Sequence, residues 1–369
     1  MGARKRLGYR PALDGVRGIA IAIVVAYHAF GWPGEGTLGV DLFFVLSGFL
    51  ITTLLLEEHE RMGAISIRAF YRRRARRLLP ALFVMLAPFL VLAAVSAAVT
   101  ASFRSPLFLG LVAALTYASN IVVATDISAM PAALIHLWSL AAEEQFYILW
   151  PLLLLLLLRL GGVRRVGQAL AALLALALVY RLQLVLRGAS IGRLYYAPDT
   201  HADPLLIGCA LGCCFARGRL PSWIVSSTRA RELAGATALV LVLAAAVFLD
   251  RLPERLAYET QLLPTMFALA AGALVVCAAM GGSALARGLT LRPLVFLGRI
   301  SYSLYLWHPP LLIALAGTQR EAGVRTIAAA AMAIALASAS RQFVELPFLA
   351  RRADPTIENV RAVPSAAPA

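Results

Sequence analysis

The 369 residues include 34 Lys and Arg against 19 Asp and Glu, a net charge of +15, yet only 14% of positions are charged and 61% are hydrophobic. A soluble domain has about a quarter of its residues charged, so this composition, with mean hydropathy at +0.80, excludes a soluble domain of any size and points to one membrane domain. The positive excess does not call for nucleic acid as a partner, because Lys and Arg accumulate in the cytoplasmic loops of polytopic proteins.

A spanning helix needs about 20 mainly apolar residues. In chain order, such stretches predict ten spans near 17–33, 39–57, 79–100, 138–158, 167–187, 203–216, 233–249, 261–280, 294–316 and 324–343. The first is not a cleavable signal peptide, since Arg17 and His28 lie within it and no small-residue cleavage site follows. Cys209, Cys213, Cys214 and Cys277 fall inside apolar stretches and read as packed hydrophobes, with neither a disulfide framework nor a metal site implied. A further apolar stretch, 107–124, is short and carries Thr116, Ser119 and Asn120. If it does not cross, both termini are cytoplasmic and 26 of the 34 basic residues lie inside, with 8 outside. If it does cross, the division becomes 19 to 15. The positive-inside rule therefore favours ten spans, with 101–137 an outer loop whose helix dips into the membrane or lies on it. The expected class is all-α: residues 8–345 form one multi-pass domain of the inner (cytoplasmic) membrane, and 346–369 form a cytoplasmic tail without fixed structure.

Ionisable groups inside a bilayer are costly and by default functional. Arg17 and His28 are 11 residues apart, about 16 Å of helical rise and three turns, so they share a face of the first span. Arg17 is expected near the cytoplasmic surface and His28 in the outer half, at the depth of Asp41, with Glu143 and Glu144 slightly deeper. His308 is near the middle of its span, and Asp199, His201 and Asp203 stand at the outer mouth of the sixth. At the opposite surface Arg72, Arg73, Arg74, Arg76 and Arg77 form a block before Pro80. Two sites are thus expected: an outer acid/base cluster, and a cytoplasmic arginine cluster suited to phosphates. Each has a plainer reading as well. His28 could be a packed histidine, Arg17 an interfacial anchor, and the arginine block a topology signal or an anionic-lipid contact. Ser47 with Gly48 suits close helix approach.

Six segments in order carry a resemblance. They are LDGVRGIAIAIVVAYHAF with Arg17 and His28, GVDLFFVLSGFLI with Asp41 and Ser47, and FYRRRARRLLPAL with R-x-x-R at both Arg73/Arg76 and Arg74/Arg77. HLWSLAAEEQFYILWP holds Ser139, Glu143, Glu144 and Tyr147, GRISYSLYLWHPP holds Tyr302, Ser303 and His308, and VELP holds Glu345. Over nearly its full length the chain resembles the bacterial acyltransferase-3 family of membrane O-acyltransferases. One departure is His201, where the family often has Arg.

The resemblance implies transfer of an acyl group, in the first instance acetyl, from acyl-CoA to a hydroxyl of a sugar, glycan or glycoside-like acceptor. No tightly bound cofactor is expected. His28 becomes the catalytic base, with one carboxylate, Glu144 or Asp41, fixing its tautomer; the sequence leaves that choice open. Arg17, Arg73, Arg74, Arg76 and Arg77 would serve the donor, and Glu143, Ser139, Tyr147, His308 and Asp203 the substrate. Membrane lipids are the remaining partners. The chain ends soon after the tenth span, so the stand-alone form, without an extracytoplasmic hydrolase-like domain, is expected. Imidazole titrates in the range a general base needs to activate a hydroxyl. The competing readings are a proton-coupled transporter, which also buries His, Asp and Glu near the midplane, and a lipid-binding scaffold.

Overall fold

The computed structural model describes residues 6–34, 36–100, 106–251, 262–316 and 323–350, and among them there is no strand. The helices in chain order are α1 (Pro11–Phe30), α2 (Leu38–Met62), α3 (Ile67–Thr100), α4 (Pro106–Leu115), α5 (Ser119–Thr125), α6 (Leu137–Leu186), α7 (Ile191–Tyr196) and α8 (Asp203–Ala216). They continue with α9 (Ser222–Ser226), α10 (Thr228–Phe248), α11 (Leu262–Met280), α12 (Ala284–Gly288), α13 (Arg292–Ala316), α14 (Val324–Ser340) and α15 (Leu346–Ala350).

Seven helical runs among the described residues are long and apolar enough to cross a membrane. Three local features separate this number from the ten stretches of the sequence. The run ending at Leu186 counts once, although Gly161 and Gly162 break the helix, Gly162 at φ 63°. Helix α8 has only 14 residues. Helix α13 interrupts its apolar run with Arg299, Ser301, Ser303 and His308. The stretch 107–124 is not one helix: α4 and α5 are split at Tyr117, which stands at φ 54°, and the 10 residues of α4 rise only about 15 Å. Gln145 of α6 pins α5 by donating to the Tyr117 carbonyl at 2.7 Å and bonding Asn120 at 2.9–3.0 Å. Large apolar side chains on the outer surface of α6, among them Leu149, Leu156, Leu176 and Leu186, are exposed, as lipid-facing residues are.

Two tight helix pairs position the site. Gly48 of α2 meets α8 so closely that an added Cβ would stand 2.1 Å from the Leu205 carbonyl oxygen. Gly298 of α13 meets α1 in the same way, 1.8 Å from the Asp14 carbonyl oxygen. Only glycine permits such contact, the usual device of helix pairs in lipid. The second pair runs α1 alongside α13 and so sets His28 against His308. At the C-terminal end, α14 passes through one π-helical turn (Arg341–Glu345) into α15. The tail boundary expected at 346 therefore falls inside a helical run, and 351–369 lie outside the described residues.

Candidate active site

Helical spacing on α3 and α6 builds the first half of the site. Positions i and i+3 share a helix face, so Arg73 and Arg76, and Arg74 and Arg77, project together. On α6, Ser139, Glu143 and Tyr147 recur every four residues and form one stripe. These residues and Arg17 line a cavity of about 650 Å³ whose walls also include Phe43, Phe44, Ser301, Tyr302, Tyr305 and, from α15, Phe348 and Leu349. Five guanidinium groups line it against two carboxylates, Glu58 and Glu143, so the cavity is electropositive. Arg17 donates to Ser301 Oγ at 3.2 Å, and Arg73 stands 3.6 Å from Glu58.

The carboxylates of α6 belong to this arginine cavity and not to an outer cluster with His28. Arg74 bonds Glu144 at 2.6 Å and lies over the Tyr147 ring, 3.1 Å from its centroid. Glu143 accepts from Ser47 Oγ and, at 2.7 Å, from the Tyr147 hydroxyl. The physical reason is that a carboxylate in a low-dielectric setting is held by the nearest cation and donors: Arg74 of α3 reaches Glu144, while Ser47 of α2 and Tyr147 of α6 itself reach Glu143.

The second half of the site is a cavity of about 330 Å³ lined by Tyr27, His28, Thr37, His136, Trp138, Tyr195, Tyr196 and Tyr305 among others. Here three imidazoles meet. His28 and His308 have ring centroids 5.0 Å apart, and His308 and His136 5.9 Å. The Leu304 carbonyl accepts from His308 Nδ1 at 3.0 Å, so His308 presents Nε2 as an acceptor. His28 Nδ1 lies 2.9 Å from the Val24 carbonyl oxygen and 3.3 Å from that His308 Nε2. Both partners accept, so the proton sits on His28 Nδ1 and Nε2 is the basic nitrogen. At Nδ1, His28 thus meets a backbone carbonyl and a second histidine, and neither Asp41 nor Glu144 takes that place.

Asp41 and Asp203 lie in neither cavity's wall. Asp41 pairs with His201 Nε2 at 2.7 Å, while His201 Nδ1 bonds the Tyr195 carbonyl oxygen at 2.5 Å. Asp203 is 1% exposed and engages both oxygens, with Arg181 at 2.8 Å and Thr265 at 2.7 Å. These two buried pairs tie α2, α6, α8 and α11 together and hold Tyr195, a wall of the histidine cavity. Arg181 escaped sequence reasoning because it stood near the expected outer end of a span, where an arginine reads as an anchor. His136 was missed because it precedes the apolar run of α6; its signal was its place at the head of the HLWSL segment.

An acyltransferase-domain profile matches residues 10–340, which takes in every arginine and histidine of the two cavities. The chain belongs to the acyltransferase-3 family. Among curated relatives of this acyltransferase-3 chain, the peptidoglycan O-acetyltransferase OatA of Listeria monocytogenes is 33% identical over 357 residues, 92% of this chain and 56% of that protein. The O-acetyltransferase OatA of Staphylococcus aureus is 32% identical over 323 residues, 83% of this chain and 51% of that protein. The chain spans about half the length of the curated relatives it matches. No solved structure matches it.

Proposed function

We propose that this acyltransferase-3 chain moves a short acyl group, in the first instance acetyl, from cytoplasmic acyl-CoA to a hydroxyl of a carbohydrate acceptor reached from the other face of the membrane. The observation that carries the reading is the pair of cavities. One is lined by five arginines and the other by His28 and a set of aromatic rings, and Tyr305 and Val40 belong to the walls of both. Clustered guanidinium groups match the phosphates of CoA. Aromatic rings beside an imidazole suit a sugar, whose apolar faces pack on rings while its hydroxyls seek polar partners. The acetyl transfer to peptidoglycan named for the Listeria relative supports a cell-envelope glycan as the acceptor class.

In this reading His28 Nε2 takes the proton of the acceptor hydroxyl as its oxygen attacks the thioester carbonyl. The new C–O bond forms, the C–S bond breaks, and the thiolate leaves toward the arginine cavity. His308 is a positioning residue: its Nε2 and the Val24 carbonyl hold the His28 Nδ1 proton and favour the imidazolium as it forms. The 26-to-8 division of basic residues supports ten spans, cytoplasmic termini and residence in the cytoplasmic membrane, with the arginine cavity on the cytoplasmic side.

The test is turnover by the purified chain in lipid nanodiscs with acetyl-CoA and a chito-oligosaccharide acceptor. Free CoA and the O-acetylated product are followed by mass spectrometry. Acceptor-dependent CoA release with a matching acetyl ester is expected. Release no greater than in empty nanodiscs, across a panel of glycan acceptors, would overturn the proposal.

A further inference from the structure

Tyr305 of α13 and Val40 of α2 line both cavities and so stand between them. Phe44, Ser139 and Leu140 line the arginine cavity with Tyr305. His28 and His136 line the other cavity with it. The phenol is not free to swing. Its hydroxyl lies 2.6 Å from Ser139 Oγ and donates to the His136 carbonyl. The ring packs against the imidazoles of His136 and His308, at centroid distances of 5.4 and 5.7 Å. Moving it aside breaks both hydrogen bonds and disturbs the imidazole that orients His28.

We infer that Tyr305, with Val40 beside it, is the partition that selects acyl-chain length where the donor and acceptor cavities adjoin. The inference rests on the acyl-CoA reading above and deepens it by naming the residues that limit the donor to short acyl groups. A thioester entering past the arginines brings its carbonyl carbon to this wall. An acetyl group carries only one methyl beyond that carbon, which fits against the ring. Each further methylene has to displace the pinned phenol or enter the 330 Å³ that the acceptor occupies. Discrimination over one methylene in a packed site is about 10–200-fold, so two added methylenes give a steep cutoff.

Acetyl-, butyryl- and hexanoyl-CoA are compared as donors for the full chain in nanodiscs, scoring kcat/KM by free CoA and by the mass of the acylated acceptor. CoA binding is checked in each variant by thermal stabilisation. Tyr305→Phe keeps the ring but loses both hydrogen bonds that pin it, and is expected to raise the butyryl-to-acetyl ratio by less than Tyr305→Ala does. Tyr305→Ala and Val40→Ala open the wall and are expected to raise the butyryl-to-acetyl ratio by about tenfold or more. An unchanged ratio in Tyr305→Ala, with CoA stabilisation intact, would overturn the inference. Should Tyr305→Ala fail to fold, an unchanged ratio in Val40→Ala overturns it equally. A wild-type protein that is stabilised by CoA but turns over none of the three donors removes the donor reading itself, and this inference with it, a result distinct from active variants with unaltered selectivity.

Discussion

Replacing His308 by Ala removes one of the two acceptors that hold the His28 Nδ1 proton. The contact spans 3.3 Å, the long end for a hydrogen bond, and it strengthens when His28 becomes an imidazolium. A hydrogen bond to a charged group contributes about 1.5–3 kcal/mol. The long distance and the remaining Val24 carbonyl at 2.9 Å argue for the low end, about 1.5 kcal/mol. At about 1.4 kcal/mol per factor of ten, kcat should fall roughly tenfold. KM for acetyl-CoA should hold, because His308 is absent from the arginine cavity wall. Loss of a general base costs about 10²–10⁴-fold, so His28→Gln, which keeps hydrogen-bonding capacity but accepts no proton at neutral pH, should lose far more. The assay is a double-mutant cycle on acetyl transfer in nanodiscs. Since His308 acts through His28, the His28→Gln/His308→Ala double variant should be no slower than His28→Gln alone. A further tenfold loss in the double variant would refute the positioning role, and near-full turnover in His28→Gln would refute the base.

Neutralising the Arg74/Arg77 pair to Gln should raise KM for acetyl-CoA; a desphospho-CoA donor should lose less in the variant than in the wild type, and equal losses would return the block to a topology signal. Arg181→Ala leaves the buried Asp203 carboxylate with Thr265 alone, and should destabilise the fold by about 3–5 kcal/mol; the Arg181→Met/Asp203→Leu double variant should recover most of it, as measured by thermal unfolding in detergent. In a cysteine-free background, Ser128→Cys should be labelled by impermeant reagent only from outside and Arg164→Cys only from the cytoplasm; labelling of position 128 from the cytoplasm would exclude ten spans with cytoplasmic termini. Gly298→Val drives a side chain into the Asp14 carbonyl and should separate α1 from α13, lowering kcat while leaving CoA binding in place; unchanged kcat would show that this close approach does not set the His28–His308 distance.

Some of the site was legible because its spacing is local. Ser139, Glu143 and Tyr147 had to share a stripe of α6, and the R-x-x-R pairs had to project together, whatever the rest of the chain does. All of them line one cavity. What could not be read was which partner each charged group would meet. Asp41 and Glu144 looked like rival partners for His28, yet Asp41 meets a histidine 160 positions away and Glu144 an arginine 70 positions away. His136 and Tyr305 drew no notice in sequence, and both stand in the histidine cavity.

By itself, the sequence determined that this is an all-helical membrane chain of the acyltransferase-3 family, and where its arginines and histidines sit along their helices. Transfer of a segment into lipid is close to a sum over its own residues, and rise per residue is constant along a helix, so both properties are decided locally. Only the tertiary structure decided that the polar groups divide into an arginine cavity, a histidine cavity and a buried anchoring network, with Tyr305 between the first two. Those pairings depend on the rotation and separation of helices far apart in the chain, which are set by contacts such as Gly298 against Asp14 and Gly48 against Leu205. A buried charge takes whichever partner that packing brings within reach.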